Sequence, residues 1–267
     1  IVSAMAENGL DEKVIGISMD GTGFGTDGNM WGGEFFVADT SDFKRYAHFD
    51  YVGMPGGDKV VEEPWRMALA YLYKYYGENI DYNSLPVFRS IGRQKMTLVK
   101  KMIINNINCP LSSGAGRLFD AVSALLGICP VTSFDSEAPM RLESAINSET
   151  DLYYPFAIGG SVVFEETFKA IMADMLHLDK SFIAAKFHNT VAQAILEVSE
   201  VIRNETSIEK VVLSGGVFQN KYLLEKTTQK LIQKMFSVFT NHQVPVNDGG
   251  ISLGQLVVAS KKSGLCA

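Results

Sequence analysis

Val211-Val-Leu-Ser-Gly-Gly-Val-Phe-Gln-Asn220 decides the fold, because an apolar run breaks into two glycines and a helical pattern starts at once. Val211 to Leu213 reads as a short central strand buried on both faces. Gly215 and Gly216 lack Cβ atoms, so the backbone can turn sharply there and approach a ligand, although a plain turn would use the same pair. Asn220 suits a helix N-cap, and KYLLEKTTQKLIQK after it sets Leu223, Leu224 and Leu231 among charges. The free N–H groups at the start of that helix favour an anion.

Downstream, Phe236 to Thr240 is a last strand, and Asn247-Asp248-Gly249-Gly250 opens a final helix. Asp248 there is either a helix cap or a ligand for a hard or His-paired cation. Upstream, two long helices fill Ser161 to Arg203. The second is expected to be capped by Ser181 and to bury Ile183, Phe187, Val191, Ala194, Ile195, Val198 and Ile202. Lys186, His188 and Asn189 fall off that stripe, leaving His188 as a structural or solvated residue or a substrate contact. Leu111 to Gly127 enters a helix through Ser-Ser-Gly-Ala-Gly. Arg117 and Asp120 share one face near its start, as a plain i,i+3 ion pair or as a group reading a sugar or purine.

Near the chain's start, Ile1 to Asn8 is helix-compatible and ends at Gly9. Val14 to Met19 and Met30 to Val37 read as strands joined by Asp20-Gly-Thr-Gly-Phe-Gly-Thr-Asp-Gly28. This loop could cradle phosphate on backbone N–H groups while its carboxylates hold a cation, or be a mobile polar tip. It has no Gly-Lys-Ser/Thr, so it is not a Walker A loop, and it joins two strands, so it is not a Rossmann fingerprint. Phe43 to Tyr51 completes a meander. Val60 to Tyr76 is expected as one amphipathic helix with Pro64 near its start, and Gln94 to Asn106 as another. The order predicts an α/β fold: a mixed sheet with a three-strand meander, helices on both faces and a helical insertion.

The 267 residues can bury a sizeable core, as one large domain or one domain with an insertion. A formal charge of -6 with no basic run argues against tight non-specific nucleic-acid binding. Cys109, Cys129 and Cys266 are odd in number and lack metal-type spacing, which favours a reducing, cytoplasmic setting. No run is apolar enough to span a bilayer. The chain starts at Ile1 inside a helical pattern, so it is expected to be a fragment of something longer.

MDGTGFGTDGNMWGGEFF, PGGDKVVEEPWRMAL, SSGAGRLFDAVSALLG, AAKFHNTVA, LSGGVFQNKYLLE and QVPVNDGGISLGQ together resemble the carboxy-terminal domain of the HypF family, carbamoyltransferases of [NiFe]-hydrogenase maturation. That domain is similar to the threonylcarbamoyl transferases acting on tRNA. The resemblance implies an RNase-H-like lobe of the actin and sugar-kinase-like ATPase (ASKHA) superfamily. Residues 1–9 would end a preceding helix, 10–52 form the meander and phosphate loop, 53–205 a mainly helical region, and 206–267 the nucleotide and metal-ligand loops.

The resemblance further implies that carbamoyl phosphate and ATP reach the site through upstream domains as carbamoyl-adenylate. The carbamoyl group then passes to the C-terminal cysteine thiol of HypE, with neither nucleic acid nor membrane as partner. Asp20 and Asp248 match the family's metal-binding carboxylates, for iron or zinc with magnesium also considered. Two further histidine ligands, spaced H-x-x-x-H, would sit immediately before Ile1. Gly21, Thr22 and Gly23 match the phosphate loop, Asp120 the nucleotide-contacting aspartate, and Gly215, Gly216 and Asn220 the nucleotide loop. Lys59, Arg117, Lys186 and His188 remain as candidate catalytic groups. The alternatives are an ATP-dependent small-molecule kinase or O-carbamoyltransferase of the same superfamily, or a module that only binds nucleotide or HypE.

Overall fold

The structure, a computed structural model, describes residues 1–263, so Cys266 lies outside the described residues. Its centre is a mixed seven-stranded sheet. β1 (Val14–Phe24) runs antiparallel to β2 (Met30–Ala38), and β2 antiparallel to β3 (Phe43–His48), which is the expected meander. The two-residue strands β4 (Val52–Gly53) and β5 (Leu111–Ser112) extend the β2 edge, while β6 (Ala157–Ile158) and β7 (Val162–Val163) form a separate hairpin. β8 (Lys210–Ser214) lies parallel to β1 on one side and to β9 (Ser237–Thr240) on the other. The stretch read as a central strand is therefore central.

The helices are α1 (Val2–Glu7), α2 (Lys59–Glu62), α3 (Trp65–Tyr76), α4 (Pro86–Ile91), α5 (Arg93–Ile104), α6 (Ala115–Leu125), α7 (Glu137–Ser144), α8 (Glu165–Asp174), α9 (Lys180–Thr206), α10 (Lys221–Gln233) and α11 (Ile251–Lys262). Side chains alternate across the sheet, so β1 and β8 each serve two cores. Ile15, Ile17, Met19, Val211 and Leu213 point into a large core shared with α3, α6, α9 and α10. Val14 and Val212 point the other way, into a small core closed by Ala4 and Met5 of α1. α11 packs outside α1. No membrane-length apolar helix occurs among the described residues.

Four local features differ from the sequence reading. The helix expected over Val60 to Tyr76 is two helices, because Pro64 lacks an N–H and forces Glu63 to φ -125, ψ 69. α9 is capped by Asp179, which accepts from the Ser181 amide at 2.8 Å. Ser181 Oγ instead accepts from the Asn147 amide at 2.8 Å. α4 and α7 had no counterpart, and both are short.

The fourth difference bears on the site. β1 does not stop at Met19 but continues to Phe24, and the turn shrinks to Gly25–Asn29, closed by the Gly25 N–H donating to Asn29 O at 2.9 Å. Met19 pairs with Gly33 and Gly23 with Trp31, so β1 carries two more residues than β2 across that interval. The excess is a β-bulge at Asp20-Gly21-Thr22. Gly32 makes room for it, since a Cβ there would lie 2.6 Å from Asp20 O.

Candidate functional site

Because β1 and β8 are parallel, their carboxyl ends reach the same sheet edge, the usual place for a ligand crevice in an open α/β sheet. A cleft of about 740 Å³ opens there, lined by Asp20, Ser214, Gly215, Asn247 and Asp248. Trp31, Phe36 and Phe43 give it an aromatic wall, and Ile251 and Val258 of α11 stand opposite.

Backbone packing brings these pieces together. Gly215 sits at φ +106, where a Cβ would meet Met19 O at 2.3 Å, so only glycine lets the β8 turn fold against β1. Its N–H donates to Val246 O at 3.1 Å, which draws the Asn247–Gly250 turn alongside. Asn247 caps that turn by accepting from the Gly249 amide at 3.2 Å. The cap is thus Asn247, and the Asp248 carboxylate is exposed at the cleft.

Asp20 is half-buried, and its Oδ1 accepts from the Gly21 amide at 2.7 Å. Burial raises its pKa, the Gly21 amide opposes this, and the like charge of Asp248 adds to the rise. A cation between the two carboxylates would relieve that repulsion, so this pair fits part of a divalent-cation shell. Its donors are oxygens alone, and no group of three His, Cys, Asp or Glu suited to a metal gathers among the described residues. Such a pair suits a hard cation, and nitrogen ligands would have to come from elsewhere for iron or zinc.

The other predicted residues divide. Gly21 lies in the bulge directly over Arg117, whose Nη2 would be 3.1 Å from a Cβ there. Thr22 is exposed, and Gly23 rejoins the ladder opposite Trp31. A Cβ on Gly216 would lie 3.4 Å from Asp20 Oδ1. Asp120 is 2 % exposed and is not part of the cleft wall. It lies 3.0 Å from Arg117 Nε, and burial pushes its carboxyl up to about 6 against the pull of that guanidinium. The two residues are thus in contact as i,i+3 neighbours, with Arg117 beneath the bulge and neither side chain in the cleft lining.

Three candidate catalytic groups lie outside the cleft lining. Lys59 is an exposed side chain bonded to Glu62. Lys186 pairs with Asp174 at 3.0 Å and stacks 4.1 Å over the Tyr154 ring. His188 has no exposed surface, and both its ring nitrogens are engaged inside the protein. Asn220 caps α10 as expected, accepting from the Leu223 amide at 2.8 Å. Its side-chain N–H₂ faces His188, so the amide is spent within the fold.

Sequence reasoning missed the clamp on the hairpin tip. Asp27 accepts from Trp31 Nε1 at 2.9 Å, Tyr51 Oη at 2.6 Å and Arg45 Nη1 at 3.2 Å. The Arg45 guanidinium also lies 3.9 Å over the Trp31 ring. Asp27 two residues before Asn29 signals a local turn, but nothing in the sequence ties Arg45 or Tyr51 to it.

Residues 16–255 match the family model described as carbamoyltransferase, Kae1-like domain, second subdomain. HypF of Synechocystis sp. is 34% identical over 96% of this chain and 35% of that protein. A shorter HypF homologue of Cupriavidus necator is 32% identical over 98% of this chain and 69% of its own length. Among solved structures, full-length HypF in a phosphate- and nucleotide-bound form superposes with a TM-score of 0.91 at 42% identity, covering 98% of this chain and 41% of that one. HypF of T. kodakarensis gives 0.90 at 31% identity, covering 99% and 36%. The chain spans about a third of the length of the Synechocystis protein and about two thirds of the shorter Cupriavidus necator one.

Proposed function

Because this chain belongs to the family of carbamoyltransferase Kae1-like domains, second subdomain, we propose that it carries one wall of a site passing a carbamoyl group from carbamoyl-adenylate to a thiol. The observation that carries the reading is the convergence of Asp20, Gly215 and Asp248, far apart in sequence, on a single cleft. Carbamoyl-adenylate would arise from carbamoyl phosphate and ATP in regions outside this chain. The acceptor would be the C-terminal cysteine of HypE, on the way to the cyanide ligands of [NiFe]-hydrogenase.

In that step the thiolate attacks the carbamoyl carbon, a C–S bond forms, the C–O bond to AMP breaks, and the thiol proton leaves to solvent. The Gly215–Gly216 turn and the Asp20–Thr22 bulge hold the phosphate side of the leaving group, and the aromatic wall excludes water. Asp20 and Asp248 would hold a divalent cation, iron or zinc if histidines complete the shell, or magnesium. When bound, that ion polarises the carbamoyl oxygen. Burial raises the thiol pKa of both Cys109 and Cys129, which disfavours their thiolates and supports direct transfer.

The test is to incubate the chain, alone and joined to the upstream region of a full-length relative, with HypE and synthetic carbamoyl-adenylate. Thiocarbamate on the HypE C-terminus by mass spectrometry is expected for the joined protein, and its loss on Asp20→Asn. Phosphate transfer from ATP to a small molecule, with HypE unmodified, would favour the kinase alternative and overturn the reading.

A further inference from the structure

We infer that His188 is a positioning residue that holds the Gly215–Gln219 turn toward the cleft by way of Asn220. The inference rests on reading that turn as the nucleotide loop.

His188 lies in the middle of α9 with no exposed surface. Its Nδ1 is 2.7 Å from Ala184 O. A carbonyl only accepts, so Nδ1 carries the hydrogen and Nε2 presents its lone pair. That lone pair faces Asn220 Nδ2 at 2.9 Å, which donates to it. Asn220 cannot turn its amide over, because Oδ1 accepts from the Leu223 amide at 2.8 Å and caps α10. One arrangement of protons therefore satisfies the whole chain from Ala184 to Leu223.

Asn220 also closes the loop that begins at Gly215. Its N–H donates to Val217 O at 3.1 Å, and the Phe218 N–H donates to Gly215 O at 3.0 Å. The imidazole is wedged edge-to-face between Phe119 of α6 at 5.0 Å and Tyr222 of α10 at 5.5 Å. α6 is the helix whose Arg117 lies beneath the bulge, so one buried ring touches the helices behind both glycine loops. Tyr222 Oη continues the network to Asn189 Oδ1 at 3.3 Å, and Asn189 Nδ2 holds Thr150 O at 2.6 Å. The groups facing the ring from these elements are Phe119, Phe187, Tyr222 and Asn220, none of them charged. Burial accordingly lowers the His188 pKa to about 4 and keeps the ring neutral.

Position 188 thus needs a hydrogen-bond acceptor, and bulk alone does not suffice. An apolar side chain would fill the space but strand the Asn220 N–H₂. The purified chain is compared with His188→Leu, which fills volume without an acceptor, and His188→Gln, whose Oε1 can accept. Two measurements are made: amide exchange at Gly216–Leu223 without nucleotide, and ATP affinity by calorimetry. Losing one buried partner is expected to speed exchange and weaken ATP by about tenfold in the leucine variant, with the glutamine variant within about threefold of the parent.

Leucine and glutamine variants that behave alike would overturn the inference. Exchange that follows the acceptor in a parent that does not bind ATP would support the positioning role and sink the nucleotide reading. ATP binding with both variants at parental values would do the reverse. If the leucine variant does not fold, Asn220→Asp keeps the cap oxygen and sets a carboxylate beside Nε2. Nitrogen NMR should then show the ring doubly protonated at neutral pH, and an unchanged ring would count against the contact.

Discussion

The two faces of the sheet differ in what they do with polar side chains. On the face covered by α6, α9 and α10, Asp120, His188, Asn189 and Thr190 are all buried. The last three are tied by hydrogen bonds to backbone or to one another's neighbours. On the face carrying α1 and α11, Asp20 is half-buried, Asp248 is exposed and α11 buries no residue at all. The polar residues of the thick side are enclosed by protein, whereas those at the mouth of the thin side open onto the cleft. Residue type alone does not separate the two groups, since each contains an aspartate matched to a ligand role.

Packing makes the largest testable difference. Phe187 has no exposed surface and meets Phe119 edge-on at 5.0 Å. Phe187→Ala is expected to cost about 3–5 kcal/mol of unfolding free energy through lost transfer and a cavity. On the thin face Leu256 is 66% exposed, and Leu256→Ala should stay within about 0.5 kcal/mol. Urea unfolding of the two variants decides it, and comparable losses would erase the contrast between the faces.

A smaller effect separates the cleft carboxylates from stability altogether. Burial and Asp248 both raise the Asp20 pKa, so its ionised form is disfavoured by folding. Asp20→Asn removes that burden and should leave the melting temperature unchanged or slightly higher. The same change should weaken binding of a divalent cation, read with Mn²⁺ or Zn²⁺ by calorimetry, by about tenfold or more as one of two anionic ligands is lost. A variant that loses stability and keeps the cation would place Asp20 on the structural side of the divide.

What the sequence disclosed follows the range of the interaction behind each feature. The Asn220 cap was legible because its partner, Leu223, is three residues away. The meander and the central strand were legible from alternation and from an apolar run bounded by glycines. The longer β1 was not, because Gly21 and Gly23 weaken strand patterning and the bulge is accommodated by glycines distant in sequence, Gly32 across the ladder and Gly114 and Gly116 at the start of α6. Pro64 lay in plain view, yet how its missing N–H divided a periodic segment depended on Trp65 donating to Pro130 O at 3.2 Å. His188 and Asn189 fell off the apolar stripe of α9 and still came out buried, since Phe119 of α6 and Tyr222 of α10 close on His188 while the 150–152 segment and Tyr222 close on Asn189. Burial imposed by a neighbour leaves no periodic trace on the helix that receives it.

The weakest effect in the parent protein is the most discriminating, because two buried groups on the thick face oppose each other. Asp120 has an ordinary value of 3.8 and titrates at about 6 when folded. Across that window the folded chain keeps a proton that the unfolded chain has lost, so Asp120 makes stability fall as pH rises. His188 has an ordinary value of 6.5 and is lowered to about 4 by burial. Over its window the unfolded chain takes up a proton that the folded chain refuses, so His188 makes stability fall as pH drops. The overlap spans roughly pH 4 to 6, and the parent should show a flat profile there from these two residues. Asp120→Asn should unmask His188 and give stability that declines toward acid, while His188→Gln should unmask Asp120 and give the opposite slope. Midpoints of urea unfolding between pH 4 and 6 for the three proteins measure both slopes. Slopes of the same sign in the two variants would mean that at least one of these groups titrates in contact with water, and the thick face would no longer be the dry one.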